Sequence, residues 1–171
     1  LSHTPWAFHK FADTTWYLHD IFLADLDQDG KAEEIIVNLN SGYWDAPAKL
    51  KRFRPGDDPE QAWEVHTIDD YNPGSNHSHA GLDVGDVDRD GHLDLAFSQG
   101  WYEAPDDPAG TWTWHQVGNI YGTSNSLLRD MDTDGDLDMV VSAGHHGSGV
   151  YWFAAPSDPK SGTWVQHTID S

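Results

Sequence analysis

Asp86-Val87-Asp88-Arg89-Asp90-Gly91-His92-Leu93-Asp94 decides the reading of this chain, because its pattern, D-x-D-x-D-G-x-x-[D/E], occurs three times in 171 residues. The other copies are Asp25-Leu26-Asp27-Gln28-Asp29-Gly30-Lys31-Ala32-Glu33 and Asp130-Met131-Asp132-Thr133-Asp134-Gly135-Asp136-Leu137-Asp138. Carboxylates at alternate positions 1, 3 and 5 can converge on one point. Glycine at position 6 permits a sharp turn, the carbonyl of position 7 can face inward, and an acid at position 9 closes the shell. This is the donor set of a hard cation: Ca²⁺ takes about 6–8 oxygens at roughly 2.3–2.6 Å. Without a cation, four carboxylates so close repel one another.

The expected ligands are Asp25, Asp27, Asp29, Lys31 and Glu33; Asp86, Asp88, Asp90, His92 and Asp94; and Asp130, Asp132, Asp134, Asp136 and Asp138. About three Ca²⁺ are implied, one per repeat. A single Asp/Gly-rich turn is commonplace, but three in register are not. The loops are not EF-hands, which need a glutamate at position 12. Ile36, Phe97 and Val141 stand there, inside short apolar runs, so each loop leads into a strand.

Two more markers repeat in the same order. Aromatic-x-Ala-Pro occurs at Trp44–Pro47, Tyr102–Pro105 and Phe153–Pro156, and Trp-x-x-His at Trp6/His9, Trp63/His66, Trp112/His115 and Trp164/His167. Four short strands are expected per repeat. The first precedes the loop (19–24, 81–85, 126–129) and the second follows it (34–38, 93–98, 137–142). The third carries the Ala-Pro marker (42–46, 100–104, 149–154), and the fourth begins at the tryptophan (63–68, 112–117, 164–169). No segment sustains a helical period over ten or more residues. Four antiparallel strands per repeat of about 50 residues is the pattern of a β-propeller blade. The expected fold is all-β: one domain over 1–171, with units near 12–69, 70–118 and 119–171 and a lone N-terminal strand at 6–11. The recurring Trp is expected between blades, where a large flat ring buries much area. Residues 48–62, with Lys49, Lys51, Arg52 and Arg54, read as a solvated excursion.

Composition narrows the function. Asp and Glu number 29 against nine Lys and Arg, a net charge of −20, which disfavours nucleic-acid and anionic-membrane partners. No apolar run is long enough to span a membrane. There is no cysteine, so disulfides and thiolate metal sites are excluded. Leu1 in place of an initiator methionine is expected of a processed chain or a piece of a longer one.

With the loops and the apolar runs Ile35–Val37, Leu95–Phe97 and Met139–Val141, the chain resembles the FG-GAP/VCBS family of calcium-binding propeller repeats, seen also in integrin α-subunit heads. The resemblance implies the propeller fold and structural Ca²⁺. It does not select an activity, because the family spans adhesion proteins, lectins and the propeller parts of sugar-processing lyases and dehydratases. Closed propellers have about 4–8 blades, and this chain has three, so it belongs to a longer propeller or associates with copies of itself, as a ring or a filament. Two functions follow. One is an extracellular or cell-surface, non-catalytic module for assembly or for binding a glycan or protein. The alternative is the propeller portion of a sugar-processing enzyme. Its candidate metal or acid/base residues are His77, His79, His145 and His146, with Tyr17, His19 and Asn76 nearby on the face opposite the loops. The Trp-x-x-His histidines are expected to be structural.

Overall fold

The computed structural model describes residues 17–40, 49–70, 81–97, 99–118, 123–143 and 149–170. Among them there is no helix. The strands form three antiparallel four-stranded sheets, each a meander in chain order. Sheet I holds β1 (Tyr17–Ala24), β2 (Glu34–Asn40), β3 (Lys49–Arg54) and β4 (Glu64–Asp70). Sheet II holds β5 (Asp83–Gly85), β6 (Asp94–Phe97), β7 (Gly100–Glu103) and β8 (Thr113–Gln116). Sheet III holds β9 (Thr123–Arg129), β10 (Asp138–Ala143), β11 (Val150–Ala154) and β12 (Val165–Asp170).

The sheets stack in order, and the reason is visible in β6. Leu95 and Phe97 pack with Ile36 and Leu50 of sheet I. Ala96, pointing the other way, packs with Leu128, Met139 and Phe153 of sheet III. Sheet II is therefore covered on both faces, which explains why its second strand is an unbroken buried run rather than an apolar–polar alternation. The stack is compatible with repeated blades.

The repeat tryptophans fill the seams, Trp112 between sheets I and II and Trp164 between II and III. Each indole also clasps its own turn. Trp63, Trp112 and Trp164 donate through Nε1 to the carbonyls of Pro59 (3.0 Å), Pro108 (3.1 Å) and Pro159 (3.2 Å). The Asp before each of these prolines accepts the amide two residues on, from Glu60, Ala109 and Lys160. This Asp-Pro…Trp turn is a fourth repeat marker.

The third strand of sheet I is not the expected 42–46, which lies outside the described residues. Lys49–Arg54 takes its place, pairing with both β2 and β4. Nor is the cation-rich segment beginning at residue 48 a solvated excursion throughout, because Leu50, Arg52 and Phe53 are buried. Leu50 faces sheet II, and Arg52 has a carboxylate partner inside the sheet. The cross-strand pairs Ile35–Phe53, Leu95–Tyr102 and Met139–Phe153 align Arg54-Pro55 with Glu103-Ala104 and Ala154-Ala155. The true counterpart of the Ala-Pro marker in sheet I is thus Pro55-Gly56.

Candidate metal centres

Each acidic loop joins the first and second strands of its sheet, and all three have one backbone shape. Position 4 is left-handed in every loop (Gln28 φ 58°, Arg89 φ 62°, Thr133 φ 68°), as is the glycine at position 6 (Gly30 91°, Gly91 97°, Gly135 95°). A Cβ on any of these glycines would meet nothing within 4 Å. Conformation, not space, therefore demands glycine there.

This shape turns the carboxylates inward on a ladder of local hydrogen bonds. The position-1 carboxylate accepts the position-6 amide: Gly30 to Asp25 at 3.0 Å, Gly91 to Asp86 at 3.0 Å, Gly135 to Asp130 at 3.1 Å. Position 3 accepts the amide of position 5, and position 5 that of position 7. Three groups result, Asp25/Asp27/Asp29, Asp86/Asp88/Asp90 and Asp130/Asp132/Asp138. Each residue offers a ligand atom within 4.8 Å of the others. Oxygens at that separation can share one ion, so all three triads could hold a metal. Asp86 Oδ1 is shut off from solvent with no donor reaching it. A buried carboxylate oxygen left so is costly, and a hard cation fits it.

The acid that closes each loop has another task. Asp94 is fully buried, accepting the Val87 amide on Oδ2 and the Ala104 amide on Oδ1, both at 2.8 Å. Asp138 does the same for Met131 and Ala155. In sheet I the matching residue is Glu34, one position beyond the expected Glu33, because the first loop is one residue longer. Glu34 Oε2 accepts the amides of Leu26 (2.6 Å) and Asp27 (3.0 Å). Pro55, standing where Ala104 and Ala155 donate, has no N–H. Arg52 supplies the missing donors, bonding Glu34 Oε1 through Nε and Nη2. Glu33 stays near the loop, its amide on the Lys31 carbonyl and its Oε1 3.9 Å from Lys31 Nζ.

Electrostatics differ among the loops. Burial pushes the Asp94 carboxyl up to about 7 against the pull of the Ala104 and Val87 amides, with Asp88 and Asp90 adding to the rise. Asp132 is also raised, by desolvation and by the charges of Asp134 and Asp138. Asp29 is lowered by its hydrogen bond from Lys31. Arg54 pairs with Asp27. Lys160, reaching from sheet III, lies 2.6 Å from Asp88 Oδ2 and 2.5 Å from Glu103 Oε1. Loops also touch across the seams: Gln28 donates to the Gly91 carbonyl, and Arg89 pairs with Asp136. Sequence reasoning missed these cross-loop partners, as it did Glu34, Arg52 and Asp83, whose Oδ2 accepts the Leu128 amide across the II–III seam. Such contacts leave no local signature.

The Trp-x-x-His histidines within the described residues sit in the outer strands. His115 stacks on Trp101 with centroids 4.5 Å apart and contacts Glu103 at 2.7 Å. His167 stacks on Trp152, and His66 contacts the Gly110 carbonyl across the I–II seam. His77, His79, His145, His146, Asn76 and the strand at 6–11 lie outside the described residues, as do the side chains of Tyr17 and His19. The chain matches no protein-family model, and no curated protein sequence matches it significantly.

Proposed function

We propose that the chain is a calcium-stiffened β-propeller module of the FG-GAP/VCBS kind, extracellular or on a cell surface, in which Ca²⁺ is structural and the work is assembly or binding rather than catalysis. The observation that carries this reading is the repetition of one loop geometry three times: left-handed turns at positions 4 and 6, converging carboxylates, and a solvent-shielded oxygen on Asp86. Three sites with the same place in each sheet suit a clip that every blade needs. A single catalytic centre would call for one. An all-oxygen, carboxylate-rich shell favours Ca²⁺ over metals that prefer imidazole or thiolate. Extracellular modules bind Ca²⁺ with Kd near 10⁻⁴–10⁻³ M, so the extracellular reading expects affinities in that range from calorimetry.

An ion that binds only the folded loops stabilises by mass action, about 2.7 kcal/mol per site at a hundred times Kd. Three sites in a chain of this size then raise the melting temperature by at least about 10 °C. Thermal melts in excess Ca²⁺, in Mg²⁺ and in EDTA test this, with calorimetric titration giving a stoichiometry near three. A melting curve indifferent to EDTA would sink the reading. Equal stabilisation by Mg²⁺ would remove the selectivity for Ca²⁺.

A further inference from the structure

The three loops share a backbone shape but not a charge balance. At positions 3 and 5 each carboxylate gives its Oδ1 to the local ladder. Asp27, Asp88 and Asp132 accept the position-5 amide there, and Asp29, Asp90 and Asp134 the position-7 amide. The six Oδ2 atoms are free of the ladder and available to an ion. In the first loop the chain's own cations hold both of them: Arg54 Nη2 pairs with Asp27 Oδ2, and Lys31 Nζ lies 3.0 Å from Asp29 Oδ2. In the second loop one is held. Lys160 Nζ lies 2.6 Å from Asp88 Oδ2, and the Asp88 side chain is 3% exposed. In the third loop, among the described residues, no lysine or arginine pairs with Asp132 or Asp134. Arg89 pairs instead with Asp136, the side chain of position 7. The resident cations on these oxygens therefore number two, one and none.

We infer that Lys31, Arg54 and Lys160 are built-in competitors of Ca²⁺, so that the three sites fill in the order third, second, first. The inference rests on the calcium reading proposed above and adds its regulation. Each cationic head has to give up its Oδ2 before that oxygen can turn to an ion, and a positive charge that stays close still repels a divalent one. For pairs partly open to water this is worth about fivefold in affinity per cation. The first site should therefore bind about 25-fold more weakly than the third. Lys160 stands apart from the other two because it arrives from a different sheet. Its turn is held by the Trp164 bond to the Pro159 carbonyl in the II–III seam, and its second partner is Glu103 Oε1 at 2.5 Å. Glu103 can keep Lys160 when Asp88 lets it go. Filling of the second site is thus tied to the II–III seam, whereas the first is competed by its own loop and by β3. In the metal-free chain the same cations offset repulsion among crowded carboxylates. They stabilise that state and oppose its loading.

A Ca²⁺ titration of the full chain followed by amide NMR tests the inference, because each site carries its own reporter. The amides of Gly30, Gly91 and Gly135 each donate to the position-1 carboxylate of their loop. Gly135 should move first, Gly91 next and Gly30 last. Lys31→Met, at a side chain 66% exposed, should tighten the first site about fivefold and leave the third unchanged. Lys160→Met should do the same for the second site, and Lys160→Arg, which keeps the charge, should not. Thermal melts supply a readout that a merely structural ion pair would not move. Lys160→Met should melt below wild type in EDTA, and the gap should narrow in excess Ca²⁺. Three glycines moving together with one constant, site affinities unmoved by both methionine variants, or a gap equal in EDTA and in Ca²⁺ would each overturn the inference and leave the calcium reading standing. Failure of the calcium reading looks different: no glycine amide moves, and both fall together.

Discussion

Arg52→Met offers a sharp test of how the sheets are held to their loops. Arg52 is 3% exposed at its side chain and Glu34 0%, so the pair is shielded from water. Methionine keeps the apolar stem of the arginine but removes both donors from Glu34 Oε1. What remains is a buried carboxylate with one oxygen on the Leu26 and Asp27 amides and the other bare. Breaking a buried pair from one side costs about 3–5 kcal/mol. At about 2–4 °C per kcal/mol for a chain of this length, the midpoint should fall by roughly 10 °C in saturating Ca²⁺. Because the two amides belong to the first loop, calorimetry should also show one of the three sites weakened. Glu34→Gln with Arg52→Met removes the stranded charge and should recover at least about 2 kcal/mol. The combination Glu34→Asp, Arg52→Trp and Pro55→Ala recreates the arrangement of sheets II and III and should outlast Arg52→Met as well. An Arg52→Met midpoint within about 2 °C of wild type, or a double variant no better than the single, would refute the reasoning.

Two more outcomes follow from the loops. Thr133 is a β-branched residue held at φ 68°, so Thr133→Asn should raise stability by about 1 kcal/mol, read as a melting shift of about 2–4 °C. In EDTA, the Asp94 carboxyl, pushed up by burial to about 7, lies well above its ordinary value of 3.8. Between those values the folded chain binds a proton that the unfolded chain does not, so metal-free stability should rise as pH falls from about 7.5 to 5. Asp94→Asn should flatten that slope in pH-dependent urea titrations. Glu103 works in the opposite sense: its desolvation is outweighed by the hydrogen bonds from Lys160 and His115, which hold it below its usual range. Its stabilisation is present above about 4.5 and is lost as pH falls further, and Lys160→Met should remove part of that loss.

What the sequence made legible was local. The three triads could be found from spacing alone because their carboxylates and the turn glycine lie within nine residues. The strands flanking the loops were legible too, since Ile35–Val37, Leu95–Phe97 and Met139–Val141 are short apolar runs after a turn. Lys49–Arg54 was not, because the burial of Arg52 depends on Glu34, 18 residues earlier. Without that partner, a run of four cations reads as solvent-facing. Trp44–Pro47 then drew the expected third strand to 42–46 by matching the Ala-Pro marker, whose counterpart by strand register is Pro55-Gly56. The closing acid of the first loop slipped by one for a similar reason: Glu33 and Glu34 are adjacent, and only strand register separates them.

The indole-to-proline clasp bears on how such a chain comes together in time. The bonds from Trp63 to Pro59 and from Trp112 to Pro108 span four residues, and that from Trp164 to Pro159 spans five. Short loops close in tens of nanoseconds and hairpins in microseconds. The outer hairpin of each sheet is therefore expected to form early, using contacts that need neither a neighbouring sheet nor an ion. The acidic loops, whose charges oppose compaction, would then be the late step. Because each sheet is built from consecutive strands, the order of sheets in the chain is also an order in which the stack can grow during synthesis.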